Sequence, residues 1–334
     1  MKFLVIRFSS IGDIVLTTPV VRCLKQQVPG ATVHYLTKKG FAAILEPNPY
    51  IHRVHLLGDD LAGLISELEA ENFDAVIDLH HNIRSLRVKR ALGKPAHAFR
   101  KLNLEKWLMT TFKWNRLPAV HIVDRCLETV SAYGVKNDRQ GLDYFLPAGT
   151  RGAGELLPAL FQEGYIAMAT GAAHATKRIP PEKMRAIITE LPFPVVLLGG
   201  KEDRQAGEEV TAMDPSRIFN ACGQTSLHES AALVRDARVV VSADTGLMHI
   251  AAAMRCPLVV LWGNTIPGFG MYPYYGSEPV PFRNLEVTGL SCRPCSKIGH
   301  AQCPHGHFRC MRDQSVPDAV STIREYWSAH PVSR

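Results

Sequence analysis

Apolar positions along this chain fall into short blocks whose period keeps changing. KFLVIRF, TVHYLT, RVHLL, DAVIDLH, AHAFR and DYFLP read as strands, and 3.6-period patterns over 17–27, 61–70 and 83–92 read as helices between them. The later half repeats the scheme. YIAMAT, PVVLLGG, RIFNAC, RVVVSAD and PLVVLWG are strand-like, with helical patterns over 181–191, 205–213, 226–236 and 248–254. Strands alternating with helices imply crossover units and parallel sheets. The Pro- and Gly-rich stretch LPAGTRGAGELLPAL, residues 146–160, separates the two series and reads as a linker. The expected fold class is α/β: two Rossmann-like domains with parallel sheets facing a cleft, over 1–150 and 151–334. Ligands of such sheets bind outside the carboxyl ends of the strands.

Composition changes this picture little. At 334 residues, 46% hydrophobic and 21% charged, the chain is an ordinary globular protein with room for two cores. No apolar run approaches the ~18 residues that span a bilayer. The opening MKFLVIRFSS reads as a first strand rather than a leader, so the expected location is cytoplasmic. Charge distribution matters more. The net charge is +7, yet residues 81–120 hold ten Lys or Arg against one acid, Glu105. Trp107, Phe112 and Trp114 lie in the same stretch. A basic face with aromatics suits an anionic partner: a membrane surface, a phosphorylated lipid or, as a weaker reading, nucleic acid. The plain alternative is a solvated Lys-rich face.

The junctions between strands and helices carry the candidate chemistry. Neither G-x-G-x-x-G nor G-x-x-x-x-G-K-[ST] occurs, which disfavours nicotinamide and P-loop enzymes. The strongest local signal is VSADTGLMHIAAAM, residues 241–254, where a buried-type strand turns into a helix. Thr245 offers a hydroxyl, Gly246 admits close backbone approach, and the free amides of the new helix favour a diphosphate. His249 falls on the face of Thr245 by its spacing of four. In ATGAAHATKRIPPEKM, Lys177 and Arg178 stand just before a proline-marked helix start and can neutralise a leaving diphosphate. In FSSIGDIVL, Asp13 sits in the first turn of a helix, where it stays ionised. That position serves a helix cap or a general base equally well.

Together, SSIGDIVLTTP, TKRIPPEKM and SADTGLMHIAAAMRCPLVVLWGNTIP resemble glycosyltransferase family 9, the family of ADP-heptose:lipopolysaccharide heptosyltransferases. The resemblance runs from the first strand to Tyr274 with the motifs in the family's order. It implies a GT-B fold and transfer of heptose from ADP-heptose to the lipopolysaccharide inner core, with inversion. It implies an N-terminal domain for the acceptor and a C-terminal domain for the donor, with a terminal helix available to pack back on the first. It makes Asp13 the general base, and Lys177, Arg178, Asp244, Thr245, Gly246 and His249 the donor site. Glu202 in GGKEDR is a candidate for holding the nucleoside, against a plain loop acid. Thr225 in GQTSLHE is a second, against a helix cap. Arg84 is the candidate for the anionic acceptor glycolipid. The +9 segment then suits peripheral contact with the inner face of the inner membrane, and no nucleic-acid partner is implied. Another nucleotide-sugar transferase or epimerase of this fold, or a non-catalytic nucleotide-binding homologue, is the alternative.

Four of the eight cysteines cluster in CRPCSKIGHAQCPHGHFRC: Cys292, Cys295, Cys303 and Cys310. C-x-x-C is a good bite for tetrahedral zinc, and four thiolates complete a structural site. Reduced thiols are the alternative, and disulfides suit a reducing compartment least. No catalytic cofactor is expected, since GT-B transferases generally need no metal for the leaving group.

Overall fold

A computed structural model describes residues 1–330. The described residues divide into two compact units, residues 1–102 with 120–145 and 276–278, and residues 103–119 with 146–275 and 279–330.

The first unit is built on a five-stranded sheet, β1 (Lys2–Ile6), β2 (Thr32–Lys38), β3 (Arg53–Leu57), β4 (Ala75–Asp78) and β5 (Ala96–Ala98). Its order is β3-β2-β1-β4-β5 and every pairing is parallel. Helices α1 (Ile11–Val15), α2 (Thr18–Gln27), α3 (Leu61–Ala70) and α4 (Ile83–Leu92) connect the strands. β1 and β4 are apolar throughout apart from their ends because both their faces are covered, as parallel sheets require. Leu4, Ile6, Leu36, Leu64, Leu68, Val76 and Val88 meet in one core. Helix α5 (Asn103–Phe112) groups with the second unit, and α6 (Ile122–Leu127) returns to the first.

The second unit holds a six-stranded parallel sheet: β6 (Ile166–Ala169), β7 (Val195–Leu198), β8 (Ile218–Asn220), β9 (Val239–Ala243), β10 (Leu258–Trp262) and β11 (Phe282–Glu286). The order is β11-β10-β9-β6-β7-β8. Around it lie α7 (Ala153–Leu156), α8 (Pro181–Thr189), α9 (Arg204–Thr211), α10 (Leu227–Arg235), α11 (Gly246–Ala253), α12 (Arg309–Arg312) and α13 (Val316–Ala329). Ala319, Val320, Ile323 and Tyr326 of α13 join the core of this unit, with Met168, Ile187, Leu197 and Leu261.

Three local expectations change. DYFLP forms no strand: the Asp143 amide donates to the Thr18 hydroxyl at 2.9 Å and its carboxylate faces Arg22, so this backbone has no ladder to join. β11 carries mixed polar residues and hides in the sequence because it is an edge strand, paired with β10 alone. The linker stretch contains α7 and a 3-10 turn over Ala159–Glu163.

The return segment of the first unit is fastened by a buried arginine. Arg22 on α2 donates to Asp138 from Nε at 2.7 Å and Nη2 at 2.9 Å, to the Gly141 carbonyl at 2.8 Å, and to Asp143. Replacing one partner of a buried pair strands the others at a cost of ~3–5 kcal/mol. Arg22→Met is expected to destabilise the protein by about that amount, read as a drop in the denaturation midpoint. Unchanged stability would show that the two aspartates find other partners.

Candidate active site

Both sheets reverse their strand order at one place, between β1 and β4 in the first and between β6 and β9 in the second. Open sheets bind ligands at such switch points, outside the carboxyl ends of the strands. The motif loops leave from these four strand ends.

In the first unit the chain leaves β1 through Arg7, Phe8, Ser9 and Ser10 into α1. Asp13 is the third residue of that helix. Its Oδ2 accepts from the Ser10 hydroxyl at 2.7 Å and the Ser10 amide at 3.2 Å. Its Oδ1 pairs with Arg7 Nη2 at 2.5 Å. Asp13 therefore does cap its helix, while a fifth of its side chain stays exposed, at 20%. Burial pushes its pKa up, but the Arg7 guanidinium and the two Ser10 donors outweigh that and hold it at about 2. The carboxylate is ionised throughout the physiological range.

The loop after β4 is pinned by Asp78, which is fully buried. It accepts from the amides of His80 at 3.1 Å and His81 at 2.7 Å, the Ser85 hydroxyl at 2.8 Å, and Lys89 Nζ at 2.8 Å. His80, which sequence reasoning left without a role, packs its ring on Phe8 with centroids 4.7 Å apart. Burial, with Arg7 and Lys101 nearby, lowers its pKa to about 4, so the ring is neutral. Asn82 caps α4 through the Ser85 amide at 2.9 Å, and Arg84 projects from the first turn into solvent.

The second unit assembles most of the other predicted residues. Asp244, buried at the end of β9, accepts from Lys177 Nζ at 2.6 Å and from the Thr265 hydroxyl at 2.8 Å. One carboxylate thus ties together the loops after β6, β9 and β10. Thr245 is the N-cap of α11, its hydroxyl 3.2 Å from that of Ser242, and Gly246 opens the helix. His249 is buried beneath the first turn. Arg178 turns the other way: Nε donates to the Ala172 carbonyl at 2.9 Å and Nη1 lies 3.5 Å from Asp203. Asp203 was missed by sequence reasoning, which chose its neighbour Glu202. It accepts from the Gly200 amide at 2.9 Å, and burial raises its pKa. Gly199 makes room for it, because a Cβ there would meet Thr170 Oγ1 at 2.6 Å and Asp203 Cβ at 2.8 Å. Beside these loops a cavity of about 220 Å³ is lined by Thr170, Arg178, Ile179, Glu202, Asp203 and Phe308, among others. Thr225 lies outside this group: it is not in the cavity lining, and its hydroxyl meets that of Ser230 at 2.8 Å.

The cysteine segment braces the same loops. Arg293 donates to the carbonyls of Gly263 at 2.7 Å and Thr265 at 2.8 Å, and the His300 amide donates to the Thr176 hydroxyl at 2.8 Å. The expected zinc shell is not shown: no three of its thiols and histidines bring ligand atoms mutually within 4.8 Å. Tetrahedral zinc with Zn–S of ~2.3 Å needs sulfurs about 3.8 Å apart. Among the described residues, the one set of three His, Cys, Asp or Glu with ligand atoms mutually within 4.8 Å is His34, His55 and Glu71. Burial and the neighbouring thiols raise the pKa of Cys295, and that of Cys310 to about 12, so both are protonated. The histidine set is a hydrogen-bonded network in which only His34 Nε2 lacks a partner among the ring nitrogens of His34 and His55. His34 Nδ1 meets His55 Nε2 at 2.9 Å, His55 Nδ1 meets Glu67 at 2.8 Å, and Glu71 pairs with Arg53 at 2.6 Å and Lys2 at 3.1 Å.

Known proteins resemble this chain over nearly its full length. Lipopolysaccharide heptosyltransferase 1 of Pseudomonas aeruginosa is 26% identical over 324 residues, covering 89% of this chain and 86% of that protein. The crystal structure of a glycosyl transferase family 9 protein from Veillonella parvula superposes with a TM-score of 0.76 at 20% identity, covering 98% of this chain and 97% of that one. The E. coli ADP-heptose lps heptosyltransferase II gives 0.74 at 20% identity, covering 98% and 99%. These neighbours share the two-sheet GT-B fold. The model of glycosyltransferase family 9 (heptosyltransferase) matches residues 61–306, and the chain belongs to that family of transferases.

Proposed function

We propose that this protein transfers a heptose from ADP-heptose to the inner core of lipopolysaccharide, with inversion at the anomeric carbon. The observation that carries this reading is the Lys177–Asp244–Thr265 knot at the mouth of α11, in a chain of this family. Relatives named lipopolysaccharide heptosyltransferase, and a neighbour named for ADP-heptose, supply the sugar and the nucleotide. Residues 151–334 serve the donor in this reading. Lys177 and the amides at Thr245 and Gly246 meet the diphosphate, and Arg178 supports its departure as negative charge develops. Asp244 holds Lys177 in place from beneath, and His249 supports the turn from inside. The cavity between Arg178, Glu202 and Phe308 suits the nucleoside, with Glu202 on its ribose side. Thr225 acts on the loop through Ser230.

Residues 1–150 serve the acceptor. Asp13 takes the proton of the attacking hydroxyl as the new glycosidic bond forms and the bond to ADP breaks. Arg84, exposed and cationic, pairs with an anionic group of the acceptor. Protein cations and helix amides answer the diphosphate charge. We also propose that the protein works at the cytoplasmic face of the membrane that carries its glycolipid. No described helix is long and apolar enough to cross a membrane. Helix α5, however, buries none of its residues, and Trp107 (51% exposed), Phe112 and Trp114 (62%) stack edge to face or tilted beside Lys106 and Lys113. Amphipathic aromatics among cations suit an anionic headgroup layer.

Three measurements test these readings. In a thermal-shift panel, ADP should raise the melting temperature more than UDP or GDP, and Lys177→Met should remove the shift. A larger response to UDP would overturn the choice of nucleotide. Asp13→Asn should lower transfer by about 10²–10⁴-fold while leaving the ADP shift intact. Full turnover in that variant would remove Asp13 as base. Vesicles containing phosphatidylglycerol should sediment the protein at low salt, whereas phosphatidylcholine vesicles should not. Trp107→Ser with Trp114→Ser should weaken the retention, and equal binding to neutral vesicles would refute the electrostatic part.

A further inference from the structure

The guanidinium of Arg7 is locked on three sides. Nε donates to the Ser9 carbonyl at 2.9 Å, Nη1 to the Leu79 carbonyl at 2.6 Å, and Nη2 meets Asp13 Oδ1 at 2.5 Å. Two of these anchors are backbone groups, one on each side of the strand-order reversal between β1 and β4. Arg7 is therefore fixed by the sheet, and Asp13 is fixed by Arg7. The second carboxylate oxygen is treated differently. Oδ2 accepts from the amide of Ser10 at 3.2 Å and from its hydroxyl at 2.7 Å, and the Ser10 side chain lies exposed to solvent.

We propose that Arg7 is the positioning residue of the acceptor half-site: it holds Oδ1 so that Oδ2 faces the incoming acceptor hydroxyl, whose place the Ser10 hydroxyl occupies in the resting protein. This rests on the reading of Asp13 as base. When acceptor binds, its hydroxyl donates to Oδ2 in place of Ser10. Its oxygen then bonds to the anomeric carbon of the donor, the carbon–oxygen bond to the diphosphate breaks, ADP leaves with the electron pair, and the proton passes to Oδ2. Three titratable groups that share electrostatic contacts with this pair are uncharged at neutral pH. His80 from β4 is neutral, Tyr35 from β2 is held as the phenol by burial, and Cys126 from α6 is pushed up to about 12. Lys101 acts on His80. Arg7 is the cation that pairs directly with Asp13 and the largest influence lowering its pKa.

The cost of this arrangement is basicity. A carboxylate held at about 2 is a weak base, so the proton moves late, after the acceptor oxygen has become positive. Alignment replaces basic strength. The folded value lies below the ordinary value of 3.8, so the pair stabilises the fold above about pH 4 and loses that contribution as pH falls towards 2.

The experiment titrates the Asp13 carboxyl carbon by NMR in ¹³C-aspartate-labelled full-length protein, wild type, Arg7→Lys and Arg7→Met, with Asp13→Asn to assign the signal. Transfer from ADP-heptose to heptose-deficient lipopolysaccharide is followed across pH in the same variants. Arg7→Met should move the carboxyl titration from about 2 towards the ordinary value near 4, about a hundredfold in proton affinity. The acid limb of kcat should follow it, with KM for ADP-heptose unchanged. Arg7→Lys, which keeps the charge without the fork, should restore the titration more than it restores kcat, and it tests the proposal should Arg7→Met fail to fold. A carboxyl that still titrates at about 2 in both variants overturns the proposal, as does a moved titration with an unmoved rate profile. Full activity in Asp13→Asn sinks the base assignment itself, a different failure, because the titration still reports whether Arg7 governs Asp13.

Discussion

A carboxylate taken out of water must be met by donors, and this protein uses that demand to fix its loops. Asp78, Asp203 and Asp244 are all buried beyond the carboxyl end of a strand or at its last residue. Each collects donors from more than one place: Asp78 from the β4–α4 turn and Lys89, Asp203 from Gly200 and Arg178, Asp244 from Lys177 and Thr265. A loop held this way cannot drift without stranding a charge. The strand ends of each unit are thereby fixed, Asp78 in the first and Asp203 and Asp244 in the second.

The cations of the second unit show how one short motif divides its labour. Lys177 and Arg178 are adjacent in sequence but serve different acids, Asp244 and Asp203. Lys177 sits at the mouth of α11, and Arg178 lines the cavity. Their separation follows from the 3-10 turn over Ala175–Lys177, which sends successive side chains to different sides. The cysteine segment adds a second support, because Arg293 and His300 bond to the same loop ends. Lys113 in turn reaches the Pro294 carbonyl at 2.8 Å, which joins the aromatic segment to that brace. The hydrogen bonds of the thiols' neighbours hold the loop.

Asp13 follows the opposite rule. Its partners are local, Ser10 and Arg7, and part of its side chain remains in solvent. A side chain that only capped a five-residue helix would not need a guanidinium anchored to two strand ends. The two carboxylate oxygens are held differently, Oδ1 by the Arg7 guanidinium and Oδ2 by the hydroxyl and amide of Ser10.

The sequence by itself determined the alternation of strands and helices, the parallel class of both sheets, and the motifs at their junctions. These depend on local period and on glycine, proline and capping chemistry, which neighbours in the chain express directly. Helices over Leu61–Ala70 and Ile83–Leu92 fall where their periodicity ends. Asp13, Lys177 and Asp244 were legible because each stands at a strand-to-helix junction. Partnership was not legible. Asp203 for Arg178, Arg7 for Asp13, and Asp138 with Asp143 for Arg22 are choices made by chain segments meeting in space. Tertiary structure also decided that Asp143 turns to an arginine instead of a ladder and that polar β11 closes an edge. In each case the deciding energy is the burial of a charge or a backbone group, and no local pattern records which distant donor will meet it.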